Sequence, residues 1–361
     1  MAVLEATQTR ALPRTMLGWV PRLAVMAGLA YLLLVRMPLD EKFAPIYADA
    51  AIYAIVGLSL NIVLGYTGQL SLGHNGFFGI GAFSAAYALT VREVPFALTF
   101  VIAGACGALF ALVMGVVALR ITGLYLALIT LVFGITLENS LFEVSWLTNS
   151  GAGQPANRPE WLYSDTRFFY FCLAFLAVAV YLDFMLLRTK SGRALLALKE
   201  NERVAEAFGI NVTAFKLLAF VLSGTLAGVA GALFAYRIGI VTASGLGFNL
   251  ALLFVLLTVV GGLGSRVGVM LGGLLFASLD YVLHETWAHH VNDFVFRWDS
   301  APQFAVGFLG ALGLLLTIVK YPGGIGQQIR PITRWLAGGP FTLHDDRDSG
   351  PAAVEGSSVR A

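Results

Sequence analysis

Long apolar runs recur along the whole chain, and they constrain its fold more than any other feature. The hydrocarbon core of a bilayer is about 30 Å thick, so a spanning helix needs roughly 20 apolar residues. Because backbone polar groups must be paired inside lipid, such runs predict helices. The fold class is therefore an all-α polytopic transmembrane bundle of about ten spans, at 20–35, 44–64, 72–90, 95–119, 122–141, 168–187, 214–236, 248–263, 267–283 and 304–321.

Composition agrees with a membrane protein. Hydrophobic residues make up 58% of the chain and charged residues only 12%, against roughly a quarter charged in soluble domains. The 40 glycines include pairs four apart, such as Gly224 with Gly228, which predict faces where helices pack closely in lipid. Cys106 and Cys172 lie within apolar runs without the spacing of a metal site or redox pair, so they are interpreted as packing residues, and no cofactor is expected.

The distribution of basic residues predicts the orientation. Lys and Arg concentrate in cytoplasmic loops, and the connection after the sixth run carries Arg188, Lys190, Arg193, Lys199, Arg203 and Lys216. Ten spans then place both termini in the cytoplasm. The predicted organisation is a cytoplasmic segment at 1–15, a membrane domain at 16–321 with a cytoplasmic loop at about 188–213, and a cytoplasmic tail at 322–361. The tail is expected to be disordered, because its part at 338–361 is rich in Gly, Pro, Ser and Asp.

A polar, glycine-rich segment separates the second and third runs at residues 61–81. Irregular backbone at membrane depth occurs where it lines a cavity, and broken helices of transporters often lie beside the substrate. A tight cytoplasmic turn with close-packed glycines explains the pattern equally well. If the segment lines a path, the side chains that would contact a solute are Asn61, Gln69, Ser71 and His74. Because no second ligand lies at useful spacing, His74 is expected to hydrogen-bond its neighbours rather than to bind a metal.

A charged stretch at 191–211 precedes the seventh run. Strong helix formers fill its interior and Gly209 suits a helix end, so a short charged helix is predicted. Composition alone favours a solvated loop helix. The pattern Glu206-Ala207-x-Gly209 followed by an apolar residue supports the alternative, a docking element for a soluble partner.

Five segments, in order along the chain, together resemble the permease family of branched-chain amino acid ABC importers, and specifically its LivM branch. They are the polar segment 69–81, Arg-Ile-Thr-Gly-Leu-Tyr-Leu-Ala at 120–127, the charged stretch through Gly-Ile-Asn at 209–211, Gly-Gly-Leu-Gly at 261–264 and Tyr-Pro-Gly-Gly at 321–324. The resemblance implies a transport subunit of the inner membrane rather than an enzyme, and a bundle similar to the permeases of vitamin B12 importers.

The resemblance also implies partners and site residues. Family members act with a second related permease, two ATP-binding cassette ATPase subunits and an external substrate-binding protein, in contact with lipid and without nucleic acid. The charged stretch matches the segment that couples such permeases to the ATPase, with Glu206, Ala207 and Gly209 at its most characteristic positions. The coupling residues implied for this chain are Arg193, Glu200, Asn201, Glu202, Glu206, Ala207 and Gly209.

Departures from the family pattern leave the cargo open. Relatives often carry a Gly-Gly pair directly after Thr148 and a Pro- and Ser-containing sequence at 242–249, and they usually have Arg in place of Lys199. The first two segments lie on the outer side of the predicted topology, where a binding protein would deliver substrate. Branched-chain amino acids, other amino acids, urea and amides all remain compatible with the sequence.

Two other classes of protein make different demands on the sequence. An ion-coupled secondary transporter would use carboxylates within spans, and the candidates are Asp49, Glu138, Asp183 and Asp280. Each lies near a predicted span end, where a carboxylate is expected to reach the interface or cap a helix. An intramembrane enzyme would need a convergent catalytic or metal set, and the sequence presents none.

Overall fold

The computed structural model describes residues 43–118, 121, 123–149, 151–281 and 323–336, together with the single residues 28 and 312. Within these residues the secondary structure is helical except for one short pair of strands, β1 (Gln154–Pro155) and β2 (Ile240–Val241), which pair antiparallel. The helices are α1 (Ala44–Leu60), α2 (His74–Thr90), α3 (Phe96–Ala118), α4 (Leu124–Asn139), α5 (Asp165–Arg188), α6 (Lys190–Glu200), α7 (Glu202–Ala207), α8 (Val212–Ile238), α9 (Phe248–Gly261), α10 (Arg266–Tyr281) and α11 (Gly324–Leu336).

The predicted apolar runs from the second to the ninth each coincide with one of these helices. The first run, 20–35, and the tenth, 304–321, lie outside the described residues. Six helical segments of the described chain are long and apolar enough to cross a membrane. The prediction of an all-α polytopic membrane chain is confirmed.

Helices α1 and α8 form the centre of the bundle. In α1, the side chains from Ala50 onwards are buried except for Tyr53, which is partly buried. Helix α8 packs against α1, α2 and α3, and it approaches α2 and α3 through glycines. A Cβ atom at Gly81 of α2 would collide with the backbone of Gly228, and one at Gly107 of α3 would collide with the carbonyl of Gly224. The prediction that Gly224 and Gly228 form a helix-contact face is confirmed.

Contacts between connections define the two ends of the bundle. The end that contains α6 and α7, here called the coupling end, also holds the end of α1, the α9–α10 turn and α11. At the opposite end, Arg237 pairs with Asp49 (3.1 Å) and Arg158 pairs with Asp165 (2.7 Å). Consecutive long helices therefore alternate in direction, as expected for a chain that crosses a membrane repeatedly.

The structure differs from the sequence predictions in two segments. The single charged helix predicted at 191–209 is divided into α6 and α7, because the side chain of Asn201 caps a new helix by accepting from the N–H groups of Arg203 (3.0 Å) and Val204 (3.2 Å). Helix α11 lies in the segment predicted to be a disordered tail. It packs against α9 and α10, where Gly326 contacts Ser265. Residues 337–361 lie outside the described residues.

Candidate functional site

Helix α1 is followed directly by a π-helical turn, at the residue where the polar segment starts. Residues Asn61–Gly65 form one π-helical turn, called here the π segment, and all of them are buried. The chain then leaves the helix at Gly68, whose φ of 72° is in the left-handed region. The hydroxyl of Thr67 (2.5 Å) and the backbone N–H of Gln69 (3.1 Å) both donate to the carbonyl of Val63. Single π-helical turns occur frequently at functional sites, so this irregular stretch is a candidate site on geometric grounds.

Asn61 and Gln69 keep unused hydrogen-bonding groups in the protein interior. The side-chain oxygen of Asn61 accepts from the backbone N–H of Gly264 (2.8 Å) in the α9–α10 turn. Its Nδ2 atom has no partner among the described residues, and neither does either amide atom of Gln69, which is 6% exposed. Leaving a buried polar group unpaired costs about 1–3 kcal/mol. These unpaired amides set the π segment and the loop after it apart from the rest of the described interior.

Ser71 and His74 instead satisfy one another and the neighbouring helices. The imidazole Nδ1 lies 3.1 Å from Ser71 Oγ, and Nε2 lies 3.0 Å from Ser59 Oγ and 2.8 Å from Ser223 Oγ. The hydroxyls of Ser59 and Ser223 each donate to the other residue's carbonyl, at 2.9 and 2.7 Å. With both hydroxyl protons committed, the pattern is complete when Nε2 carries the ring proton and Nδ1 accepts from Ser71. His74 thus joins α1, α2 and α8.

Asp183 forms a buried network that the sequence pattern does not predict. Its carboxylate was expected to reach the interface or cap a helix, but the side chain is completely buried. Oδ2 accepts from the hydroxyl of Tyr66 (3.0 Å) and from Nε of Arg266. The lost solvation of a carboxylate requires such partners. The sequence carries part of this signal, because a buried carboxylate needs a cation, but the sequence does not identify Arg266 as that cation.

The segment formed by α6 and α7, together with its ends at Thr189 and Ile210, is called here the coupling segment. Glu202 holds it to α8 through an ion pair with Lys216 (2.7 Å). Gly209 adopts the left-handed conformation (φ 80°), and the N–H groups of Gly209 and Ile210 bond to the carbonyls of Glu206 (2.9 Å) and Ala205 (3.1 Å). This is the bonding pattern of a Schellman motif. The predicted helix stop at Gly209 is confirmed.

The coupling segment has one face on the bundle and one face exposed. Its inner side chains Leu195, Leu198 and Ala205 pack in one cluster with Ile62, Val63 and Tyr66, so the segment rests directly on the π segment and the residue after it. The outer face presents large apolar side chains, with exposed fractions of 41% for Leu196, 50% for Val204 and 83% for Phe208. The remaining predicted coupling residues are exposed, at Arg193, Glu200, Glu206 and Ala207.

The other acidic candidates have separate environments. Asp49 pairs with Arg237 at the opposite end. Glu138 is partly buried beside Gly247, and nothing is described of the Asp280 side chain. The described residues do not bring these carboxylates together with Asp183 into one site, and they contain no cluster of three or more residues suited to holding a metal ion.

Comparison with known proteins gives a consistent set of relatives. A family model described as "Branched-chain amino acid transport system / permease component" matches residues 43–318. The high-affinity branched-chain amino acid transport system permease protein LivM of Salmonella typhimurium is 32% identical over 319 residues, covering 80% of this chain and 70% of the relative. LivM of Escherichia coli is 33% identical over 308 residues, covering 78% and 69%. The probable LivH permease of Methanocaldococcus jannaschii is 30% identical over 175 residues, covering 46% and 50%. No solved structure matches the chain at a significant level.

Proposed function

The chain belongs to the family of branched-chain amino acid transport permease components, and from this premise we propose that it is the permease subunit of an ATP-binding-cassette importer for branched-chain amino acids. The observation that carries the proposal is the family match over residues 43–318, together with the LivM relatives. The family resemblance inferred from five short segments of the sequence is confirmed. The chain acts as a transport subunit, and ATP is hydrolysed by separate chains.

The proposed assembly contains a second related permease, two ATPase subunits and an external binding protein, in the inner membrane. We also propose that this chain crosses the membrane ten times and has both termini in the cytoplasm, as the sequence predicts. Helices α3, α4 and α5 carry many exposed large apolar side chains, among them Val101, Val132 and Val178. Such surfaces suit contact with lipid and with another permease.

We assign ATPase docking to the exposed face of the coupling segment. Phe208, Val204 and Leu196 give this short helical unit an apolar surface unusual for a loop in water. The charged side chains around them would supply a polar rim. The inner face of the coupling segment packs on the π segment. A displacement of the coupling segment would therefore also displace the π segment.

For the solute path, we propose that Gln69 and Asn61 contact the amino acid, while Ser71 and His74 fix the shape of the loop that carries them. The amides of Gln69 and Asn61 retain unpaired atoms, whereas Ser71 and His74 bond within the protein. A zwitterion needs a few polar groups in a largely apolar passage.

Gln69→Ala should raise the concentration of leucine that gives half-maximal uptake by about tenfold, since a hydrogen bond to a charged group contributes roughly 1.5–3 kcal/mol. The measurement is concentration-dependent uptake of labelled leucine in the reconstituted importer. Ser71→Ala is the matched control from the same loop and should change this concentration much less. Unchanged kinetics after alanine replaces Asn61, Gln69, Ser71 and His74 together, in a folded protein, would remove this loop from the path.

The proposed cargo is tested by labelled leucine uptake in cells with and without this chain, all other importer subunits being present. Loss of uptake without the chain, with competition by isoleucine and valine but not urea, is the expected result. Competition by urea or amides would point to a permease of the same family with another cargo. Uptake that needs no ATPase and stops when an ion gradient is dissipated would support a secondary transporter instead.

A further inference from the structure

The carboxylate of Asp183 connects three elements at the coupling end. It lies near the end of α5 and accepts from Tyr66, which follows the π segment, and from Arg266, the first residue of α10. A second guanidinium nitrogen of Arg266 donates to the Asp183 carbonyl (3.5 Å). A single buried carboxylate therefore joins α5, the residue after the π segment and α10.

The end of α5 is joined stiffly to the coupling segment. Only Thr189 separates α5 from α6, and its hydroxyl donates to the carbonyl of Leu186 (2.6 Å) while its oxygen accepts from the N–H of Gly192 (3.3 Å). Thr189 thus caps the start of α6 and bonds to the last turn of α5. Gly192 lies so close to the backbone of Leu186 and Leu187 that a Cβ atom would not fit. A displacement of α6 must consequently move the last turns of α5, including Asp183.

The network contains an unused acceptor. Oδ1 of Asp183 has no hydrogen-bond partner among the described residues, although the side chain is fully buried. Asn61 Nδ2 and Gln69 Nε2 are buried donors without a partner in the described part of the chain, and they flank Tyr66 in sequence. Each buried polar group left unpaired costs about 1–3 kcal/mol, so stability alone does not account for this arrangement. Groups left unpaired in one state are expected where partners change between states.

We propose that Asp183 is a positioning residue of the transport cycle, which transmits the displacement of the coupling segment to the π segment through Tyr66 and to α10 through Arg266. This inference rests on the proposed function, because it requires an ATPase that moves the coupling segment. Asp183 does not touch the solute in this role. It determines whether ATP hydrolysis and opening of the path occur together.

The test measures the number of ATP molecules hydrolysed per leucine imported by the complete importer in liposomes. Asp183→Asn should raise this ratio about fivefold or more, as expected for the loss of a typical coupling free energy between sites. The double variant Asp183→Asn with Arg266→Gln leaves no unpaired buried charge, so it restores fold stability if the network is merely structural. We expect the ratio to stay high in the double variant. A return to the wild-type ratio would overturn the proposal.

Asp49→Asn is the matched control, because the Asp49–Arg237 pair also joins two helices but lies at the opposite end. It should leave the ratio unchanged, and an increase equal to that of Asp183→Asn would overturn a specific role. Tyr66→Phe removes only the hydroxyl and serves if Asp183→Asn fails to assemble, and it too should raise the ratio. An unchanged ratio in Tyr66→Phe would then contradict the proposal. If the wild-type importer shows no ATP-driven leucine uptake, the proposed function itself fails, and this inference with it.

Discussion

Gly107→Leu should destabilise the bundle by about 3 kcal/mol, at the upper end of the usual cost of overpacking. At this position α3 meets α8 backbone to backbone. A Cβ atom at Gly107 would lie 3.1 Å from the Cα atom of Gly228 and would collide with the carbonyl of Gly224. Neither contact is the movable end of a side chain, so the helices would have to separate.

The measurement is the yield of monodisperse protein and its midpoint of thermal unfolding in detergent. Ala105→Leu is the control, because Ala105 belongs to the same helix but is exposed. It adds apolar volume of the same kind and should behave like the wild type. If Gly107→Leu unfolded at the same temperature as Ala105→Leu, the close contact between α3 and α8 would be wrong.

Most of the helices are predictable from the sequence, because an apolar run of spanning length must form a helix in lipid. The eight predicted runs at 44–64, 72–90, 95–119, 122–141, 168–187, 214–236, 248–263 and 267–283 coincide with described helices. The four-residue spacing of Gly224 and Gly228 was informative for a similar reason, since only small residues allow backbones to touch. These features depend on short-range composition, which a single sequence contains.

Features that depend on which helices meet were not predictable in the same way. The sequence predicts Asn201 within one charged helix, but its side chain caps a second helix. The sequence predicts disorder where helix α11 forms, and the surface that supports this helix comes from distant residues such as Ser265. Both errors arise where a local propensity competes with a capping or tertiary contact.

In the candidate site, too, local composition predicts some features and tertiary contacts determine the others. The polar segment at 61–81 was identified from its composition, but its division into unpaired amides at Asn61 and Gln69 and a closed network at Ser71 and His74 depends on three-dimensional contacts. The pairing of Asp183 with Arg266 joins helices far apart in sequence. A buried carboxylate indicates that a cation must exist, but not which one, until the helices are placed.

Gly209→Asp should weaken ATPase binding and reduce uptake while leaving the permease folded. Gly209 ends α7 in the left-handed conformation, where a residue other than glycine costs about 1–2 kcal/mol. No described atom lies within 4 Å of a Cβ atom at this position. The new carboxylate would therefore project outward beside Phe208 and Glu206, into the surface that we assign to the ATPase. An unpaired charge in this surface should weaken docking by about 2 kcal/mol, roughly thirtyfold in affinity.

Gly239→Asp provides a closely matched control for this prediction. Gly239 also follows a helix, has the same φ of 80°, and has no described atom within 4 Å of a Cβ position, but it lies at the opposite end of the bundle. Both variants therefore carry the same backbone strain, and only one alters the coupling segment. Co-purification of the ATPase subunit with each variant separates strain from docking. If Gly209→Asp recovers the ATPase and imports leucine like the wild type, the coupling segment is excluded from the mechanism. Equal losses in both variants would show that backbone strain alone accounts for the effect.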